Sequence, residues 1–520
     1  MTLPALALKP RRRAQLTVAL AATTIALVIL CSPKRIVDDT FISLRASFHL
    51  IHGDGPVFNL HERVEAFSNL LWTVLMALPI GLGLSPAYAA AYGGIALGIG
   101  ATTRAAHHTA RHGGSPTIAL GLVALCPSFW SMTAIGLEGG LYALLLVEVY
   151  GALLDRRTMR LGILGGLLFM TRVESILLLV PVLAVLAFVD DPRDRSAEPT
   201  RASMLRTAGP WAGIAIVVTL ARLAYFGDVV PNSVRAKSSA LSDVTALVDN
   251  LGPGLRYLRG SLPAIGAVLV LPLVGVARRR TLAATFGVAA FAVAAAVAVR
   301  NGGDWMSHFR LLTPYVPLLA SSSGIVAATL WRSRTTLRPA VQRITTAALV
   351  AALTGLCATA LAHNHWASPT LAIKLPYQEN RDLAVALRDH LVPGDIVTVE
   401  ALGYFSYYAP DAYVHDFLGL ADRHIAESGK LSPPWGRLDY RYTIDEVKPT
   451  VILLHSGYGH FLQMIAVSSQ DLSTVYRLYA LCPIADLRRP FFFVAIERSA
   501  VERLAPALRP LGLCDIPFPK

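Results

Sequence analysis

Leu-Thr-Val-Ala-Leu-Ala-Ala-Thr-Thr-Ile-Ala-Leu-Val-Ile-Leu occupies residues 16–30, with Arg11-Arg12-Arg13 before it and Asp38-Asp39 shortly after it. An uncharged, mostly apolar run with a basic flank on one side reads as the first helix of a chain that crosses a membrane. The rest of the chain agrees. Of 520 residues, 54% are apolar and only 16% charged, too little charge to wet the surfaces of soluble domains of that total size. Disordered, collagenous and small disulfide-bonded classes are excluded on the same composition. Residues 11–30 also fit a signal peptide, but with so many later spans an uncleaved helix is the reading.

Ten further windows are apolar enough to be counted with the first, near 86–105, 114–130, 132–153, 158–170, 173–189, 208–225, 262–276, 282–299, 309–330 and 344–361. The expected fold is therefore a polytopic α-helical membrane protein of about 11 transmembrane helices. Basic loops set its orientation. Arg11–Arg13, Asp155-Arg156-Arg157, Arg193–Arg206, Arg278–Arg280 and Arg332–Arg343 read as cytoplasmic. The loops at 32–67, 225–260 and 300–308, and everything after residue 362, then lie outside. Counting Leu70–Leu84 as a twelfth crossing would turn every later basic loop outward. Residues 68–84 are therefore expected to form an interfacial or re-entrant helix, with Trp72 at headgroup depth. The expected domains are 1–362, a transmembrane catalytic part with 32–84 as its outer loop, and 363–520, an extracytoplasmic α/β domain. The β-branched runs at 396–399, 451–454 and 491–496 supply its strands.

Net charge is +13, yet residues 363–520 carry 15 Lys/Arg against 17 Asp/Glu. All the excess positive charge thus lies in the apolar part, where cytoplasmic loops and anionic headgroups account for it. The basic residues are scattered among spans and form no stripe, so nucleic acid is not an expected partner. Cys31, Cys126 and Cys357 sit in or beside apolar runs and read as small buried hydrophobes. Cys482 and Cys514 lie in the polar C-terminal part, either as a disulfide or as two separate thiols.

The polar residues at the outer ends of the spans carry the functional signal. They are Asp38 and Asp39, Glu65 and Asn69, Glu138, Arg172 and Glu174, Asn232 and Lys237, and Asp304, Trp305 and Arg310. The expected topology brings all of them to one side of the membrane, and ionisable groups at such depths mark functional sites. A carboxylate such as Asp38 or Asp39 can deprotonate a hydroxyl. Arg172, Lys237 and Arg310 can hold a phosphate leaving group. Glu65, Asn69, Glu138, Glu174, Asn232, Asp304 and Trp305 are the remaining substrate-binding candidates. Phe67, Trp72 and Trp305 can stack on sugar faces or lipid. His49, His52 and His61 lack ligand spacing, so no metal site is assigned.

These segments resemble a known family. Val-Asp-Asp-Thr-Phe-Ile-Ser-Leu-Arg at 37–45, Gly-Asp-Gly-Pro-Val-Phe-Asn at 53–59 and Glu-Arg-Val-Glu-Ala-Phe-Ser-Asn-Leu-Leu-Trp-Thr at 62–73 are similar to the first outer loop of GT-C glycosyltransferases of the mycobacterial terminal β-(1→2) arabinofuranosyltransferase type. Gly-Leu-Glu at 136–138, Thr-Arg-Val-Glu at 171–174, Tyr-Phe-Gly-Asp-Val-Val-Pro-Asn-Ser at 225–233, Gly-Gly-Asp-Trp-Met at 302–306 and His-Asp-Phe-Leu-Gly-Leu-Ala-Asp-Arg at 415–423 follow in the same order. The chain departs from the family at Val173 and at Ala66-Phe67-Ser68, and its last ninety or so residues match nothing in it.

The resemblance implies a GT-C fold and a polyprenyl-phosphate sugar donor, with arabinofuranose as one sugar in view. It also implies a cell-envelope glycan or glycolipid acceptor, and reaction at the outer face of a bacterial inner membrane, while the basic loops place the N-terminus in the cytoplasm. Asp38 or Asp39 would be the base of an inverting single displacement. A phosphate-linked leaving group does not demand a divalent metal, so no cofactor is expected. A lipid or sugar transporter is the first rival, but no internal repeat supports it. A non-catalytic glycan-binding membrane protein is the second.

Overall fold

The computed structural model describes residues 22–188, 200–237, 244–279, 281–333, 358, 362, 369–374, 378–432, 436–455, 459–481 and 492–519. The chain forms two compact units. The first comprises Met1–Arg35, Ala91–Ala215 and Leu251–Ile373, and the second Ile36–Ala90, Ile216–Asn250 and Lys374–Lys520. The compositional boundary near residue 362 falls where only Ala358 and Ala362 are described.

The first unit is helical. Among the described residues three helices are long and apolar enough to cross a membrane, Arg201–Phe226, Leu247–Arg278 and Leu282–Arg300, the first running on into the second unit. Pro116–Ala124 and Pro127–Thr133 would make a fourth span, bent by 71°. Pro127 causes the bend, because it has no N–H to donate and disfavours a helical Cys126, which sits at φ −114° and ψ 81°. Gly139–Leu154, Thr158–Thr171 and Val173–Phe188 are apolar but shorter. Length and composition thus carry three or four of the eleven expected crossings. Most of the 344–361 window and residues 14–21 lie outside the described residues.

The Gly139–Leu154 and Thr158–Thr171 helices form a hairpin closed by Asp155-Arg156-Arg157. Small residues let a neighbour approach. Gly165 lies against the ring of Trp211, which is fully buried, and a Cβ there would stand 2.0 Å from that ring.

In the second unit the C-terminal sheet contains β1 (Ile396–Val399), β2 (Tyr413–Asp416), β5 (Val451–Leu454), β6 (Tyr476–Leu481), β7 (Phe492–Glu497) and β8 (Leu513–Asp515), ordered β2-β1-β5-β7-β6-β8, with β-branched or aromatic residues prominent in β1, β5 and β7. β2, β1 and β5 run parallel, and the remaining pairs are antiparallel. A separate hairpin pairs β3 (Lys430–Ser432) with β4 (Gly436–Leu438). The strands expected from sequence correspond to β1, β5 and β7.

Residues 36–84, most of the loop that the sequence reading expects outside, belong to this same unit. Ile42, Phe58 and Ala66 share one core with Val397, Val399 and Val414 of the sheet. Arg45, fully buried, donates to the carbonyls of Phe58, Ser406, Pro410 and Ala412, so its guanidinium joins the Asp39–His52 helix to the 406–412 turn. Residues Leu70–Gly81 form a helix of 12 residues, about 18 Å long and too short to cross a bilayer. Its Leu78 is exposed, but Trp72, expected at headgroup depth, is 1% exposed. Phe67 is likewise buried, packed with Ala46 and Phe226. Neither ring offers a face to a sugar, since apolar burial has claimed both.

Candidate functional site

Asp38 and Asp39 stand at the start of the Asp39–His52 helix, about 100° apart around its axis. That angle gives them different tasks. Asp38 is 6% exposed and accepts the backbone N–H groups of Gly403 at 2.7 Å and Tyr404 at 2.8 Å, one on each carboxylate oxygen. Only glycine fits at 403, because a Cβ there would stand 2.0 Å from the carbonyl oxygen of Asp38. Burial pushes the Asp38 carboxyl up to about 7, against the pull of those two N–H groups. Asp39 is more open, and its Oδ2 lies 3.2 Å from Nζ of Lys237. Lys237 ends the short helix Asn232–Lys237.

The other polar groups of this unit brace that pair. Glu65 is buried against Arg222, whose guanidinium it accepts in a two-pronged contact. Arg222 escaped the sequence reading, since it sits in an apolar run and passes for a snorkelling anchor. Asn69 Oδ1 accepts from Ser43 at 2.9 Å and Thr73 at 3.2 Å, fastening the helices on either side. Asn232 Nδ2 donates to the carbonyls of Gly419 and Leu420, both at 3.0 Å. That loop is itself held by Asp416, whose two oxygens accept from the N–H groups of Leu418 and Ala421. Glu65, Asn69 and Asn232, expected to touch substrate, thus spend polar atoms on the protein.

A second missed feature lies at the C-terminal ends of β1 and β5. Glu400 follows β1, His455 follows β5, and they meet at 3.4 Å. Beyond β1 the connections diverge, to β2 on one side and β5 on the other, which is where open α/β sheets bind ligands. Glu400 lies three residues before Gly403, within about 11 Å of chain.

In the first unit Arg172 follows the Thr158–Thr171 helix in extended conformation, φ −150° and ψ 120°. It is buried and donates to Glu138 at 2.8 Å, with Glu174 at 4.0 Å. Its guanidinium lies 5.2 Å from the ring centre of Tyr142, whose hydroxyl meets that of Tyr315 at 3.1 Å. Arg172, Glu174 and Leu311 border one small cavity. The residue beside Leu311, Arg310, is paired with Asp304. Gly303, at φ +90°, turns the chain into that pair and leaves room for the Tyr257 side chain, whose Cβ stands 2.7 Å from where a Cβ of residue 303 would be. Trp305 is half-buried in the same loop. Arg172 and Arg310 therefore belong to one unit, and Lys237 to the other. Among the described residues no group of three or more His, Cys, Asp or Glu could hold a metal ion. Cys514 is exposed and free, and Cys482 lies outside the described residues.

Residues 371–493 match a family described as a domain of unknown function (DUF8728). A comparison with curated protein sequences finds no match. Among solved structures the chain is similar to the apo oligosaccharyltransferase of Archaeoglobus fulgidus, with a TM-score of 0.55 and 12% identity over 91% of this chain and 73% of that one. The oligosaccharyltransferase AglB of the same organism, in complex with an inhibitory peptide and a dolichol-phosphate, gives 0.54 and 12% over 92% and 74%. ArnT from Cupriavidus metallidurans bound to undecaprenyl phosphate gives 0.48 and 15% over 94% and 98%. The chain has the GT-C fold.

Proposed function

We propose that this protein is a membrane glycosyltransferase that moves a sugar from a polyprenyl-phosphate donor to a cell-envelope glycan or glycolipid at the outer face of a bacterial inner membrane. The observation that carries the reading is the division of labour between two adjacent carboxylates. Asp38 is buried and fixed by backbone N–H groups, while Asp39 is more open and stands beside the Lys237 ammonium. The fold adds support, since the archaeal enzyme that shares it has been solved with a dolichol-phosphate.

In this reading Asp39 is the base. It takes the proton from an acceptor hydroxyl as that oxygen bonds to the anomeric carbon of the donor sugar. The bond from that carbon to the phosphate oxygen breaks with its electron pair, releasing polyprenyl phosphate, and the configuration inverts. Lys237 holds the Asp39 carboxylate in an ion pair before the transfer. Lys237, in the same unit as Asp39, supplies the cation that receives the phosphate charge. Asp38 holds the start of the helix so that Asp39 faces the acceptor. Arabinofuranose is the first sugar to try, on the strength of the outer-loop motifs.

The test is a turnover assay in detergent or nanodiscs with synthetic polyprenyl-phosphate sugars and an oligosaccharide acceptor. The expected result is transfer by the natural chain and none above background by Asp39→Asn. Flux of lipid or sugar across proteoliposomes without any transfer would replace this reading with the transporter one.

A further inference from the structure

His-Asp-Phe-Leu-Gly-Leu-Ala-Asp-Arg at 415–423 folds into a loop braced from within. Asp416 is 1% exposed and accepts the N–H groups of Leu418 at 2.9 Å and Ala421 at 2.7 Å, one on each oxygen. Gly419, at φ +77°, makes the turn between them, and a Cβ there would stand 2.8 Å from Cγ2 of Ile425. Asp422 Oδ1 accepts the N–H of Ile425 at 2.8 Å and so caps the Arg423–Ser428 helix. Held this way, the loop turns the carbonyls of Gly419, Leu420 and Asp422 onto one donor. That donor is Nδ2 of Asn232, at 3.0, 3.0 and 3.1 Å.

Asn232 opens the Asn232–Lys237 helix and Lys237 closes it. Six residues are too few to hold a helix on their own in water, where even about 12–15 are marginal. Contacts with the rest of the unit therefore decide where the Lys237 ammonium stands. At the start of the helix the backbone N–H of Asn232 donates to the carbonyl of Glu65 at 3.0 Å, while its side chain grips the 418–422 loop. On the flank Arg235 pairs with Asp228 and Glu427. At the end Lys237 Nζ lies 3.2 Å from Asp39 Oδ2. Every one of these residues belongs to the second unit.

We propose that Asp416 and Asn232 are positioning residues, which act through the 418–422 loop and the Asn232–Lys237 helix to set Lys237 against Asp39. The residue types suit that task. Three carbonyl oxygens accept only from a donor, so an amide fits at 232 where a carboxylate would be repelled. Two N–H groups pointing at one side chain need an acceptor on each of its oxygens, which a carboxylate supplies at 416. The kinetic consequence rests on the proposed function, in which Asp39 and Lys237 are the reacting pair. The placement of Lys237 is measured without turnover.

A zero-length carbodiimide cross-link on the full-length protein in nanodiscs makes that measurement, because it joins a carboxylate to an amine only where the two touch. Peptide mass spectrometry should find the Asp39–Lys237 amide in the natural chain, and Asn232→Ala should lose most of it. Turnover should fall about ten- to hundred-fold in that variant, the scale of an ångström of misplacement, with acceptor KM near normal. Asp416→Asn keeps the shape of the side chain but offers one acceptor oxygen to two N–H groups. It should lower cross-link and turnover together, and keeps the test open if Asn232→Ala fails to fold. Asp395→Asn breaks the ion pair with Arg503 elsewhere in the same unit. It should melt lower yet keep both the cross-link and turnover. Loss of the cross-link there would mean that any loosening of the unit suffices, and would overturn the proposal. So would a natural yield of cross-link in folded Asn232→Ala and Asp416→Asn. A lost cross-link with natural turnover upholds the placement and removes Asp39 and Lys237 from the reaction, which overturns the proposed function instead.

Discussion

Lys237 Nζ lies 3.2 Å from Asp39 Oδ2, while the neighbouring Asp38 accepts two backbone N–H groups and is nearly sealed from solvent. Adjacent carboxylates of the same motif therefore differ in what they can reach. Asp39→Asn should lower turnover by roughly two or more decades with little change in thermal stability, the scale of a lost general base. Asp38→Asn should instead lower the melting temperature, because an amide presents one acceptor to two N–H donors. Kinetics and thermal unfolding on the two variants side by side would separate the roles. Equal turnover in Asp39→Asn and the natural chain would remove Asp39 from the chemistry.

The Asp38 carboxyl also predicts how stability depends on pH. Its folded value, about 7, is above its ordinary value of 3.8, so between these limits the folded state holds a proton that the unfolded chain has lost. Asp38's contribution is thus fully present below about pH 4 and disappears as pH rises through 7. The natural chain should melt higher at pH 6 than at pH 8, and that difference should shrink in Asp38→Asn. A variant with an unchanged pH slope would contradict the assignment.

Glu138 and Arg172 form a buried pair, 6% and 7% exposed. Removing one partner strands the other, so Glu138→Gln should cost about 3–5 kcal/mol, whereas replacing both with apolar residues should cost far less. Thermal melts give the first comparison. Donor KM gives the second: a phosphate-binding Arg172 predicts that the apolar double variant is folded yet raises donor KM. A folded double variant with normal donor KM would make the pair purely structural.

Glu400 and His455 at the ends of adjacent parallel strands predict an acceptor-side effect. Glu400→Gln should raise acceptor KM several-fold and leave donor KM near its normal value. An effect confined to the donor would place the acceptor elsewhere.

Exposed Cys514 supplies a test of sidedness. In a chain whose other cysteines are replaced, Cys514 should label with an impermeant thiol reagent in intact cells, and an Arg157→Cys variant without Cys514 should not. The opposite pattern would invert the orientation.

The pair Asp38-Asp39 was legible in sequence as two acids after an apolar run, and β1, β5 and β7 were legible as β-branched stretches. Which acid faces outward was not, because Gly403 and Tyr404, the groups that seize Asp38, lie about 365 residues further along the chain. The Glu65–Arg222 contact was hidden for a related reason, with 157 positions between the partners. Phe67 and Trp72 misled because aromatic rings beside a membrane-like run suit headgroups and a protein core equally, and only packing decides between them. β2 was missed because Tyr413-Val414-His415-Asp416 carries two polar residues, both buried in the structure.

Arg45 sets a timetable for biosynthesis. Its guanidinium finds its carbonyl partners at Ser406, Pro410 and Ala412, up to 367 residues downstream. At ribosomal rates of about 5–20 residues per second, roughly 20–70 s pass between the emergence of Arg45 and that of its last partner. Through that interval a cation destined for complete burial must stay hydrated or be held by a chaperone. The Asp39–His52 helix can be drawn in only after Ala412 has been translated. Ribosome-bound chains truncated before residue 406 should therefore leave the Asp39–His52 segment open to protease, and chains extended beyond 412 should begin to protect it.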